Sequence, residues 1–557
     1  MKPIGVILSE ASSSTAVCQF YEEFEGKLVE GELCVIHSKR SNGIKKILCR
    51  IDKIIPYHEF YREGDVWSEA RRHKYPIPTD VSRRYEIGEL ELLGELQKSG
   101  LGEISRPPMA GDQVFKIDVS SEAESIFGVK KGESGYVWFG SLIGYENAPI
   151  PLDIRNITMH MAVFGVTGSG KSYTVGYLLE KIRDLPVKNT RAAIPVMIID
   201  ANGDYLDYVD AFRKNGNFGR YYKAKRFVFN NSMAIYEYSS DNVVEVIKIS
   251  LSEFEPREAA EIVINYYSGG KGNELQISGL ELALRRLSEE GYDLSELFIQ
   301  DKTFENLQNE LRSLTKEEKL IHDQTAKAID RAIHKFREDC QKYELLEYQE
   351  NATINGEFID EITNNPSLIV IDFSSDGAPG VSLYMKQLVV SYVTKLLYNK
   401  FVDYKVKGKE KVLLLIMEET QNYCPNPSTY PVGSSLARDN LALIATQGRK
   451  FGLSLCLVTQ RPSFVDPIVM SMMNTFIIHR VSVEDIPFVK KVTGTLPKAV
   501  ENKLTKLGTG KAIITGQMSK LPFPVTVQIP EREIKPTMGK ICLLYTSPSP
   551  RDLSTSR

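Results

Sequence analysis

Gly165-Val-Thr-Gly-Ser-Gly170-Lys171-Ser172 constrains this chain more than any other stretch. It fits the pattern GxxxxGK[ST], follows the apolar run MHMAVF and precedes the helix-like YTVGYLLEKI. A strand, a glycine-rich turn and a helix in that order make a phosphate cradle. The glycines let backbone N–H groups wrap an anion, and the helix N-terminus adds the positive end of its dipole. The stretch therefore predicts a nucleoside triphosphate held by Gly165, Val166, Thr167, Gly168, Ser169, Gly170, Lys171, Ser172 and Tyr173. Lys171 would reach the β- and γ-phosphates, and the Ser172 hydroxyl would ligate Mg²⁺.

The rest of the chain is read around that turn. Apolar runs at 159–164, 196–200, 368–373, 412–417, 453–459, 475–480 and 511–515 alternate with helical stretches. Continuous apolar strands separated by helices imply a parallel sheet covered on both faces. One such helix shows in Met385, Leu388, Val389, Tyr392, Val393, Leu396 and Leu397, spaced for a single face. The fold expected is α/β: a RecA-like P-loop ATPase core at 149–240 and 351–540. Short strand-like runs with Gly, Pro and Asn turns before it predict a small N-terminal β-barrel domain over 1–148. Within that domain, Glu63–Pro78 reads as a loop or excursion. Between 241 and 350 charged helical sequence replaces the strands and reads as an insertion. From Cys542 the chain reads CLLYTSPSPRD, whose back-translation fits the end of a transposase-type sequencing adaptor. Residues 541–557 are therefore set aside as non-native, against the alternative of a natural Ser/Pro-rich tail.

Three strand ends supply candidate chemistry. Val412–Met417 runs into Glu418 and Glu419. The first carboxylate can hold Mg²⁺ through water, and the second can orient and deprotonate an attacking water. Asp200 ends the second strand of the core; it is either a further metal contact or the side chain of an Asx-turn. Gln460 ends LCLVTQ, where a nucleotide would sit, and could sense the γ-phosphate or position water.

Composition closes off other classes. Among 557 residues, 42% are apolar and 25% charged, which excludes collagen-like, mostly disordered and disulfide-scaffold chains. The net charge of −3 gives no whole-chain reason to bind nucleic acid, so any DNA contact must come from local patches. The 7 cysteines include no CxxC pair, and Cys34 with His37 lacks a second pair for zinc. No apolar run approaches the roughly 20 residues of a membrane span. A cytoplasmic protein without a membrane partner is expected.

HMAVFGVTGSGKS, IIDANGDY, LLLIMEETQNY and, most specifically, GRKFGLSLCLVTQRPSFVDPIVMSMMNTFIIHRV resemble the HerA branch of the HerA/FtsK hexameric DNA-translocating ATPases. The resemblance implies a homohexameric ring with ATP and Mg²⁺ at each interface and double-stranded DNA in the pore. It also implies an Arg reaching the neighbouring subunit's site. Arg449 is the first candidate, with Arg461 and Arg480 behind it. Met159 stands where the family often has Arg, so Arg155 is a possible substitute, and Thr420-Gln421 replace the usual Ala-His. HerA-like proteins commonly work with a nuclease or other effector subunit, in DNA end processing and repair or in anti-phage defence. A ring that only scaffolds an effector is the alternative, and a conjugation or secretion ATPase a third. Candidate DNA loops are Arg213–Arg226 and Tyr266–Asn273; Arg71-Arg72-His73-Lys74 is a candidate docking element.

Overall fold

The computed structural model describes residues 2–40, 43–97, 100–119, 124, 126–145, 148–188, 190–216, 218–237, 243–269, 273–430, 435–494 and 496–535. The adaptor-like tail lies outside them. The chain forms two compact units. The first holds Met1–Asp153, Leu496–Lys506 and Ala512–Ile529; the second holds Ile154–Thr495, Leu507–Lys511 and the described residues from Pro530 on.

In the first unit, Pro3–Ile7 pairs with Thr15–Phe20, which pairs with Arg84–Gln97. That strand pairs with Gly43–His58, then come Leu33–Arg40 and Gln113–Lys116, which returns to Pro3–Ile7. Every pairing is antiparallel, and the ring closes without a free edge. Ile4, Cys18, Phe20, Ile36, Cys49, Leu90 and Val114 fill it. Phe20 needs Gly88: a Cβ there would lie 2.4 Å from its ring. The stretch Glu63–Pro78 is an excursion between the two longest strands. Its base is tied by Arg71, which donates to the carbonyls of Phe60 and Arg62 and pairs with Asp65 at 2.9 Å.

The second unit is built on a parallel sheet. Its order is Val244–Val246, Ala224–Val228, Leu368–Asp372, Val196–Asp200, Leu413–Met417, Leu453–Thr459, Met161–Phe164, Thr475–Ile478. The apolar runs become strands because each is buried along its whole length. Helices therefore cover both faces, Lys171–Ile182 and Leu383–Val406 among them. The predicted face of the latter is buried throughout.

The insertion contributes helices Pro256–Ser268, Glu274–Glu289, Asp301–Arg312 and Asp323–Lys342. Phe336 meets Phe298 and Tyr266 edge-on at 5.3 and 5.7 Å. Pro256 at the first helical position and the reciprocal Glu255/Glu258 capping box start the first helix. Among the described residues no helix is long and apolar enough to cross a membrane.

Two strands of this sheet escaped the sequence reading, Ala224–Val228 and, inside the stretch read as a helical insertion, Val244–Val246. Ala224–Val228 carries Lys225 and Arg226, so its charge hid its β character. Lys225 pairs with Glu245 on the neighbouring strand. The Arg226 guanidinium is buried and forks onto Asp372 at 2.6 and 2.9 Å, with Asp376 behind. Removing a partner of a buried charge leaves the other uncompensated. Asp372, with none of its side chain exposed, is the costly one. Asp372→Ala should destabilise the protein by about 3–5 kcal/mol. Asp376, 54% exposed, should cost no more than about 1 kcal/mol when changed to Ala. Equal losses in thermal unfolding of the two variants would contradict the burial argument.

Candidate nucleotide site

Met161–Phe164 delivers the chain to Gly165 with no room for a side chain. A Cβ on Gly165 would lie 2.5 Å from Ser169 Oγ and 2.7 Å from His479 Cβ. Gly168 (φ 71°) and Gly170 (φ 109°) turn through the left-handed region that other residues avoid. Ser169 closes the turn by donating to the Val166 carbonyl at 2.7 Å. The helix then starts at Lys171, whose side chain is buried and lies 3.4 Å from the same carbonyl. Burial pulls the Lys171 ammonium below its ordinary pKa, and the carboxylates of Glu418, Glu419 and Asp204 pull it back up.

Parallel pairing brings the other strand ends to the same edge. Glu418 is buried after Met417, and burial lifts its carboxyl to about 8. The Tyr205 hydroxyl donates to it. Glu419 adopts φ 48° and ψ 47°, a left-handed conformation that costs a non-glycine residue of order 1 kcal/mol. Its carboxylate accepts from Gln460 Nε2 at 2.6 Å and from Gln421 Nε2 at 2.5 Å. Gln460 Oε1 in turn accepts from the Thr167 hydroxyl at 2.5 Å. A continuous run of hydrogen bonds thus joins the phosphate turn to the carboxylate strand, across the strand lying between them. Gln421, named in the sequence only as a departure from the family pattern, is a working member of it, held by Thr459 at 2.8 Å.

The loop after Val196–Asp200 differs from expectation. Asp200 is wholly buried, and both its oxygens are taken by the backbone. Oδ1 accepts from Asn202, Gly203 and Asp204 N–H at 2.8–3.1 Å, and Oδ2 from Tyr205 N–H at 3.0 Å. Burial, with Asp372 alongside, raises its carboxyl to about 7. Of the two sequence alternatives the turn is the one seen, the carboxylate being turned to the loop backbone. Asp204 instead meets the P-loop: its Oδ2 accepts from Ser172 Oγ at 2.8 Å.

Comparison with known proteins places this geometry. Residues 137–397 match the family model described as "Helicase HerA, central domain". The DNA double-strand break repair helicase HerA of Saccharolobus solfataricus is 24% identical over 429 residues, covering 77% of this chain and 74% of the relative. The protein of the same name from Pyrococcus furiosus is 24% identical over 488 residues, covering 79% and 77%. Among solved structures, VirB4 of Thermoanaerobacter pseudethanolicus aligns at TM-score 0.48 and 13% identity over 73% of this chain and 98% of that one. Residues 137–397 match the HerA central domain, and the chain is HerA-like over about three quarters of its length.

The candidate arginines of this HerA-like chain sit in different settings. Arg449 is exposed at the amino end of Leu453–Thr459, close to His160, which opens the P-loop strand. The P-loop leaves the other end of that sheet, roughly 20 Å away along a seven-residue strand. Arg461 is held by Asp485 at 3.1 Å and Glu484 at 2.7 Å and lies over the Phe464 ring. Arg480 lies beside the P-loop of its own chain, its carbonyl accepting from Val166 N–H at 2.8 Å. Arg155 is exposed, and the Met159 carbonyl accepts from Asn474 at 3.1 Å.

The basic stretch Arg213–Arg226 is not a free loop. Besides Lys225 and Arg226, Lys223 pairs with Glu361 at 2.6 Å and Arg220 with Asp184 at 3.3 Å. These cations pair within the unit, and the end of the stretch, Ala224–Val228, is a strand of the sheet rather than a loop. In the second candidate, Tyr266 is buried and donates to Asp339 at 2.6 Å; residues 270–272 lie outside the described residues.

His479 was passed over because it sits in an apolar strand end with no motif around it. It wedges behind the P-loop. Its Nδ1 donates to the Lys511 carbonyl at 2.9 Å, and Nε2 accepts from the Thr174 hydroxyl at 2.9 Å. Burial lowers its pKa to about 4. A base whose folded pKa is depressed stabilises the fold fully above its unfolded pKa, near 6.5, and loses that contribution as pH falls toward 4. The melting-temperature advantage of the wild type over His479→Gln should be largest above pH 6.5 and shrink as pH falls toward 4. A constant advantage across that range would contradict a neutral His479.

Proposed function

We propose that this HerA-like ATPase binds ATP with Mg²⁺ at the Gly165–Tyr173 cradle and couples its hydrolysis to movement along duplex DNA. The observation that carries the proposal is the convergence of Lys171, Ser172, Glu418, Glu419 and Gln460 at one edge of one sheet. Side chains are disfavoured at Gly165, Gly168 and Gly170, which leaves backbone to face phosphates, and Ser172 and Glu418 are hard oxygen donors of the kind that suits Mg²⁺. When bound, Mg²⁺ neutralises charge on the phosphate oxygens. Lys171 anchors the β- and γ-phosphates. Glu419, held by Gln421 and Gln460, takes the proton of the attacking water. Gln460, reaching both Thr167 and Glu419, reports the γ-phosphate to the carboxylate strand.

Arg449 completes a neighbour's site. Its distance from the P-loop of its own chain and its lack of an ion-pair partner among the described residues support a role in trans. The active form is a homohexameric ring in the cytoplasm with DNA in its pore. The names of the relatives, DNA double-strand break repair helicases, support the DNA coupling. The ring drives a nuclease or other effector subunit in DNA end processing or anti-phage defence.

Lys171→Ala should abolish ATP binding. Glu419→Gln should bind ATP but lose about 10²–10⁴-fold in turnover. Equilibrium binding and phosphate release check the pair, and tight binding by Lys171→Ala contradicts the phosphate assignment. Subunits carrying Arg449→Ala, mixed with Glu419→Gln subunits, should recover part of the hydrolysis that neither shows alone. No recovery at any ratio would place the essential arginine elsewhere.

A further inference from the structure

We propose that Asp204 is the acidic residue through which the 200–205 loop serves the metal, as a positioning residue acting on Ser172; this rests on the nucleotide reading of the site. A hydroxyl has one proton and two lone pairs. In Ser172 that proton is committed to Asp204 Oδ2 at 2.8 Å. With the proton held on one side, the lone pairs of the Ser172 oxygen are left for a cation. Partners of this kind fix a ligand's orientation and raise its basicity.

The geometry of the loop makes the assignment specific. Asp200 binds four consecutive backbone N–H groups, from Asn202 to Tyr205, and so fixes the path of the turn. Adjacent residues then reach two different elements. Asp204 holds Ser172 on the P-loop helix, and Tyr205 holds Glu418 on the carboxylate strand. The two groups expected at the cation are thus oriented from one rigid turn. Asp204 Oδ1 has no hydrogen-bond partner among the described residues, so this carboxylate keeps a free oxygen for a metal-bound water, whereas both Asp200 oxygens already accept from backbone N–H groups.

The test is binding of a fluorescent non-hydrolysable ATP analogue, without metal and across a Mg²⁺ titration. The proteins are wild type, Asp204→Asn, Ser172→Ala and the double variant, each with its melting temperature. Asp204→Asn should bind the analogue without metal as the wild type does. Its Mg²⁺ midpoint should rise roughly 10–100-fold. The double variant should be no worse than Ser172→Ala, because one residue acts through the other. An unchanged midpoint in Asp204→Asn overturns the proposal. So do equal losses with and without metal, which would mark a purely structural residue, and full additivity in the double variant. A wild type that binds the analogue under neither condition overturns the nucleotide reading itself.

Discussion

Parallel pairing makes the central strands of the second unit end at one edge, and the arrangement of its polar groups follows from that register. Phe164, Asp200, Asp372, Met417 and Thr459 close strands hydrogen-bonded side by side. Residues hundreds of positions apart therefore become neighbours as soon as the sheet forms. Thr167 and Gln460 meet across 293 residues of chain. A parallel sheet needs both faces covered. The same burial that makes the strands apolar makes the groups at their ends polar, paired and few.

Burial then decides what each charged group can do. Asp200, Asp372 and Arg226 are deep, and each spends its hydrogen-bonding capacity on protein: Asp200 on backbone, Asp372 on Arg226 and the Ser374 N–H. They form the frame. Glu419, Gln460 and Asp204 are shallower and joined by single hydrogen bonds that a ligand can exchange. The strained backbone of Glu419 belongs to this second group, as sparsely populated conformations often do at functional sites. The two buried histidines divide similarly. His479 backs the phosphate turn as a neutral wedge, and His160 holds the other end of the same strand, its Nδ1 accepting from Leu455 N–H at 3.0 Å.

Much of this was legible in the sequence because its signals are local. The P-loop is one contiguous motif, and the apolar runs at 196–200, 368–373, 412–417 and 453–459 announce buried strands by themselves. Gln460 could be chosen because it ends such a run. What stayed hidden depends on partners distant in sequence. Ala224–Val228 looked like a basic surface because Glu245, Glu361 and Asp372, which neutralise it, lie elsewhere in the chain. Asp200 and Asp204 are four residues apart, and only the turn decides which carboxylate faces the P-loop. His479 carried no pattern; its role follows from Thr174 and Lys511, brought together by the fold.

The most direct measurement is steady-state ATP hydrolysis by the purified wild-type protein in Mg²⁺, with and without linear duplex DNA, its mass in solution recorded in the same buffer. Mg²⁺-dependent turnover by a hexamer, rising several-fold when DNA is added, is the result expected of a DNA-coupled HerA-like ATPase. Turnover that ignores DNA at every concentration, or a hexamer that binds ATP without hydrolysing it, would contradict the coupling.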